Sequence, residues 1–244
     1  MALLSPSREK TAIAEAMREG LARVRGMRAV ARGAGEDRQA LRAWQAERLA
    51  RTYADLLSDP RYRPAATFFL ADLYGPKDFG ERDDELARIL PTLTRLLPVS
   101  AVRTFARAVE LDCLSEELDA AQIAALRADR ATGPLEIDAA RYATAFRRCR
   151  NRAARERQVA LVGEIGRALD ALARKPLIAG AVEMMRTPAH AAGLGALHSF
   201  LERGFRAFRH MRGAEEFLAV IDRRERRLLG RLFDGDPDPF RAQD

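Results

Sequence analysis

The sequence has few cysteines and few histidines, and each shortage excludes a class of site. The chain of 244 residues contains two cysteines, Cys113 and Cys149, which form no C-x-x-C pair and no disulfide framework, so buried free thiols are expected. None of its three histidines has an acidic residue three positions earlier. Because a di-iron bundle needs Glu-x-x-His pairs, that class of metal site is excluded, and we expect no metal.

Long apolar runs and catalytic motifs are also missing. The longest uncharged run, Thr187–Leu201, is too short to cross a bilayer of about 30 Å. The amino-terminal segment lacks the basic-then-apolar order of a signal peptide, so a cytoplasmic protein is expected. There is no H-E-x-x-H, no G-x-S-x-G and no phosphate-binding glycine loop. We therefore expect no catalytic residues and no cofactor, and favour a protein that is not an enzyme.

Lysine is scarce although the chain is basic. Lysine and arginine together number 42, against 35 acidic residues, which gives a net charge of +7 and a pI near 10.1. Only Lys10, Lys77 and Lys175 are lysine, so we interpret much of the basic excess as a bias toward arginine. Net charge indicates non-specific association rather than a fold, and nucleic-acid binding is kept only as an alternative.

Good helix formers fill the chain, and no alternating run of β-branched residues occurs. This composition predicts an all-α fold, a single multi-helix bundle domain of about eight to ten helices. We expect an amino-terminal helix over residues 1–35, a helical core over 36–232 and a flexible carboxyl-terminal tail over 233–244. A subdomain break near 131–135, at Thr-Gly-Pro, stays open as an alternative.

Turn and cap residues predict where individual helices begin and end. Helices are expected over residues 36–58, from a cap at Ser100 to about residue 127, and over 152–173. Pro91 should kink or divide the helix that contains it. Thr187 should cap a helix that Pro188 begins.

The stretch FFLADLYGPKDFGERDD, residues 68–84, is a corner between two predicted helices. Gly75 and Pro76 fit a helix end, and Asp78 precedes Glu81 at the spacing of a capping box. These features explain most of the corner without a ligand. The candidate binding or structural-lock cluster is formed by the residues that are less well explained together with two of the acids, namely Asp72, Tyr74, Asp78, Arg82 and Asp83.

The same corner resembles the core of a family of uncharacterised all-helical proteobacterial proteins. The pattern runs from Phe68-Phe69-Leu70 through Asp72-Leu73-Tyr74-Gly75-Pro76 to Arg82-Asp83. A second stretch, Ala191–Leu197 followed by Met211–Leu218, is similar to the carboxyl-terminal part of that family. The resemblance implies a helical fold and brings no established activity.

Three interpretations of the corner remain open. An ion pair of Arg82 with Asp72 or Asp78 would lock two helices together. Tyr74 and Arg82 could instead anchor a protein partner, since these residue types dominate interfaces, or an acid and a base could act in catalysis.

The leading functional hypothesis is a non-enzymatic interaction or regulatory protein, because no complete catalytic constellation occurs. The alternative is a small-molecule or cofactor-binding helical protein, an enzyme included, with a pocket beneath the corner and the helix Ala191–Phe208. A protein partner fits the first hypothesis, and the sequence leaves the oligomeric state open.

Histidines and arginines near the carboxyl terminus complete the candidates. His190 and His198 are the residues that could bind a haem-like cofactor. His198 and Glu202 are four apart, which predicts a hydrogen bond on a helix surface rather than a metal site. Helical spacing places Phe205 and Phe208 in the core and predicts a solvated face with partners such as Glu202 for the nearby arginines, Arg203, Arg206, Arg209 and Arg212.

Overall fold

Helices account for nearly all of the regular structure in this computed structural model, which describes residues 6–73, 80–128 and 132–241 apart from 31–34. In these ranges there is no strand, and nine of the twelve α-helices have seven or more residues, so the prediction of a single all-α domain is confirmed. The elements are α1 (Pro6–Val30), α2 (Gly35–Thr52), α3 (Ala54–Ser58), α4 (Arg63–Phe68), a π-helical segment (Phe69–Leu73), α5 (Gly80–Leu96), α6 (Val99–Arg127), α7 (Ala139–Arg148), α8 (Arg152–Ala173), α9 (Pro176–Met184), α10 (Arg186–Ala191), α11 (Gly195–Met211) and α12 (Glu215–Asp234).

The long helix α6 is the element around which the others pack. It contacts α1, α2, α7 and α8, while α8 also packs against α11 and α12. The helices α6 and α8 are antiparallel, since Arg155 near the start of α8 bonds to Leu118 and Arg157 bonds to Glu110 farther toward the start of α6. This antiparallel pair of long helices lies in the middle of the molecule.

Apolar side chains form three clusters around this pair of helices. One cluster joins α4, α8, α11 and α12 and contains Phe68, Phe208 and Phe217. A second joins α2, α7 and α12, and a third joins α1, α5 and α6. Phe208 is buried and Phe205 is partly buried, so the prediction that these rings belong to the core is confirmed.

Some predicted helix boundaries are right and others are wrong. The helix predicted over 152–173 is α8. Ser100 is not a cap, because Pro98 has an extended ψ of 154° and takes the N-cap position, which places Ser100 in the first turn. Thr187 is not a cap either, because Met185 precedes α10 and Pro188 is its third residue. A proline is tolerated there because the first N–H groups of a helix have no intrahelical acceptor.

Two further predictions concern the interior of helices. Pro91 lies inside α5 without dividing it, so the kink, the other outcome expected of this proline, stays a prediction. Its ring is exposed and does not interrupt the packing of Leu86 and Leu90. The helix predicted over 36–58 is divided at Tyr53, whose φ and ψ of −115° and 24° are not helical.

The carboxyl-terminal segment packs on the bundle farther than the sequence suggests. Phe233, where the tail was expected to begin, is still part of α12. Phe240 packs edge-on against Trp44, with ring centroids 5.4 Å apart. A contact of this kind anchors the segment up to residue 241.

Candidate functional site

A buried carboxylate, that of Glu116 in α6, is the centre of an ionic network. Its side chain is 1% exposed. Its Oε1 accepts hydrogen bonds from Arg28 Nε of α1 at 2.9 Å and from Arg42 Nη2 of α2 at 2.6 Å. Arg38 Nη1, also of α2, lies 2.9 Å from Oε2. Three guanidinium groups from two helices therefore neutralise one carboxylate in the interior.

The start of α5 joins this network through Asp83. Arg28 donates hydrogen bonds to Asp83 and, at 2.8 Å, to Asp112 Oδ1. Arg82 donates to Asp83 Oδ1 from Nε at 3.0 Å and from Nη2 at 2.9 Å. Burial lowers the pKa of Arg28, but the carboxylates of Asp112, Asp83 and Glu116 raise it further, so this guanidinium stays charged.

Two carboxyl groups of α6, those of Asp112 and Asp119, have a pKa above the ordinary value of aspartate. Burial raises the pKa of Asp119, and this effect exceeds the lowering caused by a hydrogen bond from Gln45 and by the charges of Arg155 and Arg42. Gln45 Nε2 donates to Asp119 Oδ1 at 3.1 Å. Burial likewise raises the pKa of Asp112 against the lowering effect of Arg28. Desolvation therefore destabilises the ionised forms of these two aspartates in the folded protein.

A second ionic contact ties α2 to α12. Arg48 Nη1 donates to Glu225 Oε1 at 2.7 Å, and the Tyr53 hydroxyl donates to the same oxygen at 2.8 Å. Burial lowers the pKa of Arg48, and the charge and hydrogen bond of Glu225 more than reverse that effect.

Arg155 differs from the arginines of the network because no carboxylate in the part of the chain that the structure describes lies within 4 Å of it. It is 5% exposed. Its Nη1 and Nη2 donate to neutral oxygens, those of Gln158 Oε1 and the Leu118 carbonyl, each at 3.5 Å. Its Nε has no hydrogen-bond partner, and its guanidinium lies 4.7 Å from the centre of the Phe146 ring.

A cavity of about 810 Å³ lies inside the bundle beside these groups. Its volume is in the range of pockets that hold one small molecule, about 300–1,000 Å³. Arg155, Glu116 and Asp119 line one part of it, and Ile89, Leu172 and Leu201 line another. The wall therefore has a polar end and an apolar end.

The cavity-lining side chains of α6 and of α8 change from polar to apolar at the same level of the bundle. On α6 the lining side chains are apolar over Ala101–Leu111, apart from Thr104, and polar at Asp112, Ser115, Glu116 and Asp119. On α8 they are polar at Arg155 and Gln158 and apolar from Val159 to Leu172. Because the helices are antiparallel, the polar halves face each other, and Gln158 Nε2 donates to Ser115 Oγ at 2.9 Å. At a rise of 1.5 Å per residue, the α8 wall spans about 25 Å.

The predicted corner cluster is divided by the structure. Asp72, in the π-helical segment, is buried and accepts two hydrogen bonds from Arg203 of α11, at 3.1 and 2.7 Å. Asp72 is not among the residues that line the cavity, whereas Arg82 and Asp83 are. Tyr74 and Asp78 lie outside the described residues. The ion pair of Arg82 with Asp72 or Asp78 stays a prediction.

Arg82 has a role on the cavity wall in addition to its bonds with Asp83. Its guanidinium lies 4.9 Å from the centre of the Phe200 ring of α11, which is also a lining residue. Phe68 and Phe69 of the same corner line the cavity as well. Part of the corner thus borders the cavity.

His198 is buried rather than on a helix surface, so the hydrogen bond predicted with Glu202 is wrong. Its Nε2 bonds to the Val182 carbonyl of α9 at 2.7 Å, and its Nδ1 has no hydrogen-bond partner. Glu202 pairs instead with Arg186 and Arg206. His198 lines the cavity. His190 is exposed, and its ring packs edge-on against the ring of His198, with centroids 6.1 Å apart.

The arginines of α11 have the kind of partners that the sequence indicates. Arg206 Nη2 donates to Glu202 Oε1 at 2.8 Å, one turn away on the same helix. Arg203, which we expected on a solvated face, reaches Asp72. Of the two cysteines, Cys113 is buried and Cys149 is half-buried, and both are free thiols; burial raises the pKa of Cys113 to about 11.

The ionic network was missed from the sequence, although a signal for it exists. Asp112, Glu116 and Asp119 recur at i, i+4 and i+7, which is one face of a helix. The same face carries Val109 about one turn and Val102 about three turns before Asp112, and both valines are buried. Acidic residues that continue an apolar stripe are expected to form buried ion pairs, whereas acidic residues on the opposite face are expected to be exposed to solvent.

Fold and site together define the class of this protein, an all-helical protein with a buried ionic network and a cavity of mixed polarity. Residues 25–239 match the model of a family described as Domain of unknown function (DUF8198), so the chain belongs to this family. The proteobacterial source and the corner motif stay predictions. No curated protein and no solved structure matches the chain. Within the described ranges, no helix is both long enough and apolar enough to cross a membrane.

Proposed function

We propose that this protein binds an amphipathic small molecule inside its helical bundle. The observation that carries the proposal is the cavity of about 810 Å³ whose walls on α6 and α8 change together from polar to apolar. A molecule with one polar end and a long apolar body matches this division. Binding in the apolar part of the cavity is favourable because apolar ligand surface leaves water, which contributes roughly 25 cal/mol to the binding free energy per Å² buried.

The polar end supports the same function. Apart from Arg155, its charged side chains are held by ion pairs from α1, α2, α5 and α6, so they are ordered before a ligand arrives. Such preorganisation lowers the entropic cost of binding. A purely structural network would not require a cavity next to it.

This function corresponds to the alternative drawn from the sequence rather than to its leading hypothesis. Surface binding of a protein partner has less support, because Leu96, Met184 and Met185 are the exposed large hydrophobic side chains of the described residues. Single exposed apolar residues are common on soluble proteins and need no partner.

Organic extraction of the purified protein, followed by mass spectrometry, tests the proposal. We expect a co-purifying amphiphile near one per protein, or stoichiometric uptake of an added apolar probe such as the methyl ester of cis-parinaric acid. A protein that yields no amphiphile and takes up no probe would contradict the function.

A further inference from the structure

We infer that Arg155 binds the carboxylate head group of a long-chain monocarboxylic acid in the cavity. The inference rests on the proposed function and specifies its ligand class. It starts from a buried guanidinium on the cavity wall that has no carboxylate of the described residues within 4 Å. A buried charge without an ionic partner is unfavourable, and an anionic ligand would supply that partner.

The neighbouring arginines do not compete for this role. Arg42, Arg48 and Arg82 also line the cavity, but each already has a carboxylate at 2.6–2.9 Å. Arg155 has only two long bonds to neutral oxygens, and both lie at the limit of hydrogen-bonding distance. Its Nε is free of any hydrogen bond.

The donors of Arg155 suit a carboxylate. Nε and one terminal nitrogen of a guanidinium present two parallel N–H groups, which a carboxylate accepts as a bidentate pair. Nε is unbonded, and the bonds from Nη1 and Nη2 are long enough to be exchanged for shorter ones to an anion. One unpaired cation matches a ligand with one negative charge rather than a phosphate with two.

Asp119 is one of the acids of the polar end, with Glu116 and Asp112, that oppose an anion here. Its charge interacts with Arg155, although the two side chains are not within ion-pair distance. Gln45 and Arg42 hold the Asp119 carboxyl group on the side of α2. Replacing Asp119 by asparagine should therefore strengthen binding of an acid, whereas replacing Arg155 should weaken it.

The apolar wall of α8 accounts for the rest of the ligand. From Arg155 the lining side chains continue through Val159, Val162, Ile165 and Leu169 to Leu172 along one face. An aliphatic chain attached to a carboxylate at Arg155 would run along this face. The geometry thus combines an anion receptor with an apolar wall about 20 Å long, from Val159 to Leu172.

Fluorescence titration with cis-parinaric acid, a naturally fluorescent long-chain fatty acid, and with its methyl ester tests this inference. We expect the unmodified protein to bind the acid at least about tenfold more tightly than the ester, since the ester lacks the charge that a guanidinium recognises. This comparison needs no variant, so it does not depend on whether a substitution folds.

Variants then assign the difference to a residue. In Arg155→Gln the preference for the acid should disappear, while affinity for the ester stays within about twofold. In Asp119→Asn the acid should bind more tightly and the ester should not change. Arg152→Gln, at an exposed arginine paired with Glu156 on the same helix, is the matched control and should keep the preference.

The outcomes separate the two proposals. If acid and ester bind the unmodified protein equally well, or Arg155→Gln keeps the preference for the acid, the role of Arg155 is overturned and the cavity function stands. If neither probe binds, the cavity function fails and the inference fails with it.

Discussion

The contribution of a charged residue to the stability of this protein depends strongly on its burial. Glu116 and Glu117 are neighbours on α6, yet the first is 1% exposed and holds three arginines, and the second is 45% exposed and pairs with Arg23. A step of one residue, about 100° around the helix, separates a buried ionic centre from an ordinary surface ion pair. Energies of surface pairs are usually about 0–1 kcal/mol, whereas breaking a buried pair costs about 3–5 kcal/mol.

Substitution of Glu116 by glutamine should therefore destabilise the fold by about 3–5 kcal/mol, because Arg28, Arg38 and Arg42 would lose their common counter-ion. Urea unfolding measures the change in the free energy of unfolding. Glu117→Gln is the matched control and should change it by less than about 1 kcal/mol. Equal effects of the two substitutions would contradict the buried network.

Asp119 predicts a pH dependence of stability with a defined sign. Burial, against Gln45, Arg155 and Arg42, raises its pKa in the folded protein, so the folded state holds this proton more tightly than the unfolded chain. The contribution of Asp119 to stability is therefore greatest below the ordinary aspartate pKa and decreases as pH rises through the folded pKa. Relative to Asp119→Asn, the unmodified protein should lose about 1.4 kcal/mol for each unit of the pKa rise.

Asp55 is the control of opposite sign for that experiment. A hydrogen bond from Arg224 lowers the pKa of Asp55 against the effect of burial, so its contribution is present above the ordinary pKa and disappears as pH falls through the folded one. Unfolding curves across acidic to neutral pH should show the two asparagine variants diverging from the unmodified protein in opposite directions. Parallel curves would contradict the assigned environments.

At the scale of helices, sequence patterns predict the elements better than their ends. The ends of α8 follow directly from its flanking residues, but the break at Tyr53 could not be foreseen. Tyr53 leaves helical geometry while its hydroxyl bonds to Glu225 of α12, a partner 172 positions away in the chain. Tertiary contacts of this range are invisible to local propensity.

Some helices of the bundle approach each other closely at a glycine, and the sequence alone does not show which glycines these are. A Cβ added at Gly166 of α8 would lie 2.4 Å from Leu218 Cδ2 of α12. Gly166→Ala should therefore destabilise the protein by about 1–3 kcal/mol through overpacking. Gly26 of α1 has no atom within 4 Å of an added Cβ, so Gly26→Ala should stabilise it by about 0.5–1 kcal/mol. Thermal unfolding of both variants measures these opposite shifts.

At the scale of the whole molecule, the sequence predicts the all-α class and one domain, but a pocket near the corner only as an alternative and the polar end of the cavity not at all. Residues of the corner, Phe68, Phe69 and Arg82, could be singled out because of their composition and spacing. Arg155 could not, because its sequence context is a dense basic segment that indicates a solvated face. Its burial depends on α6, α7 and α8 meeting around it, which only the assembled fold determines.

A ligand that binds the assembled cavity must also stabilise the whole fold. Binding to the native state alone adds about 2.7 kcal/mol to the free energy of unfolding when the free ligand is at 100 times its dissociation constant. Urea unfolding with and without cis-parinaric acid should therefore show a rise in midpoint that increases with probe concentration.

Filling the cavity should abolish that rise without unfolding the protein. Val162 lies in the middle of the α8 wall, so Val162→Phe would place a ring where the aliphatic chain should lie, and the existing space limits overpacking. Ala171→Phe, at an exposed position of the same helix, is the matched control and should keep the response to the probe. Stabilisation of Val162→Phe by the probe as large as that of the unmodified protein would show that the ligand binds elsewhere.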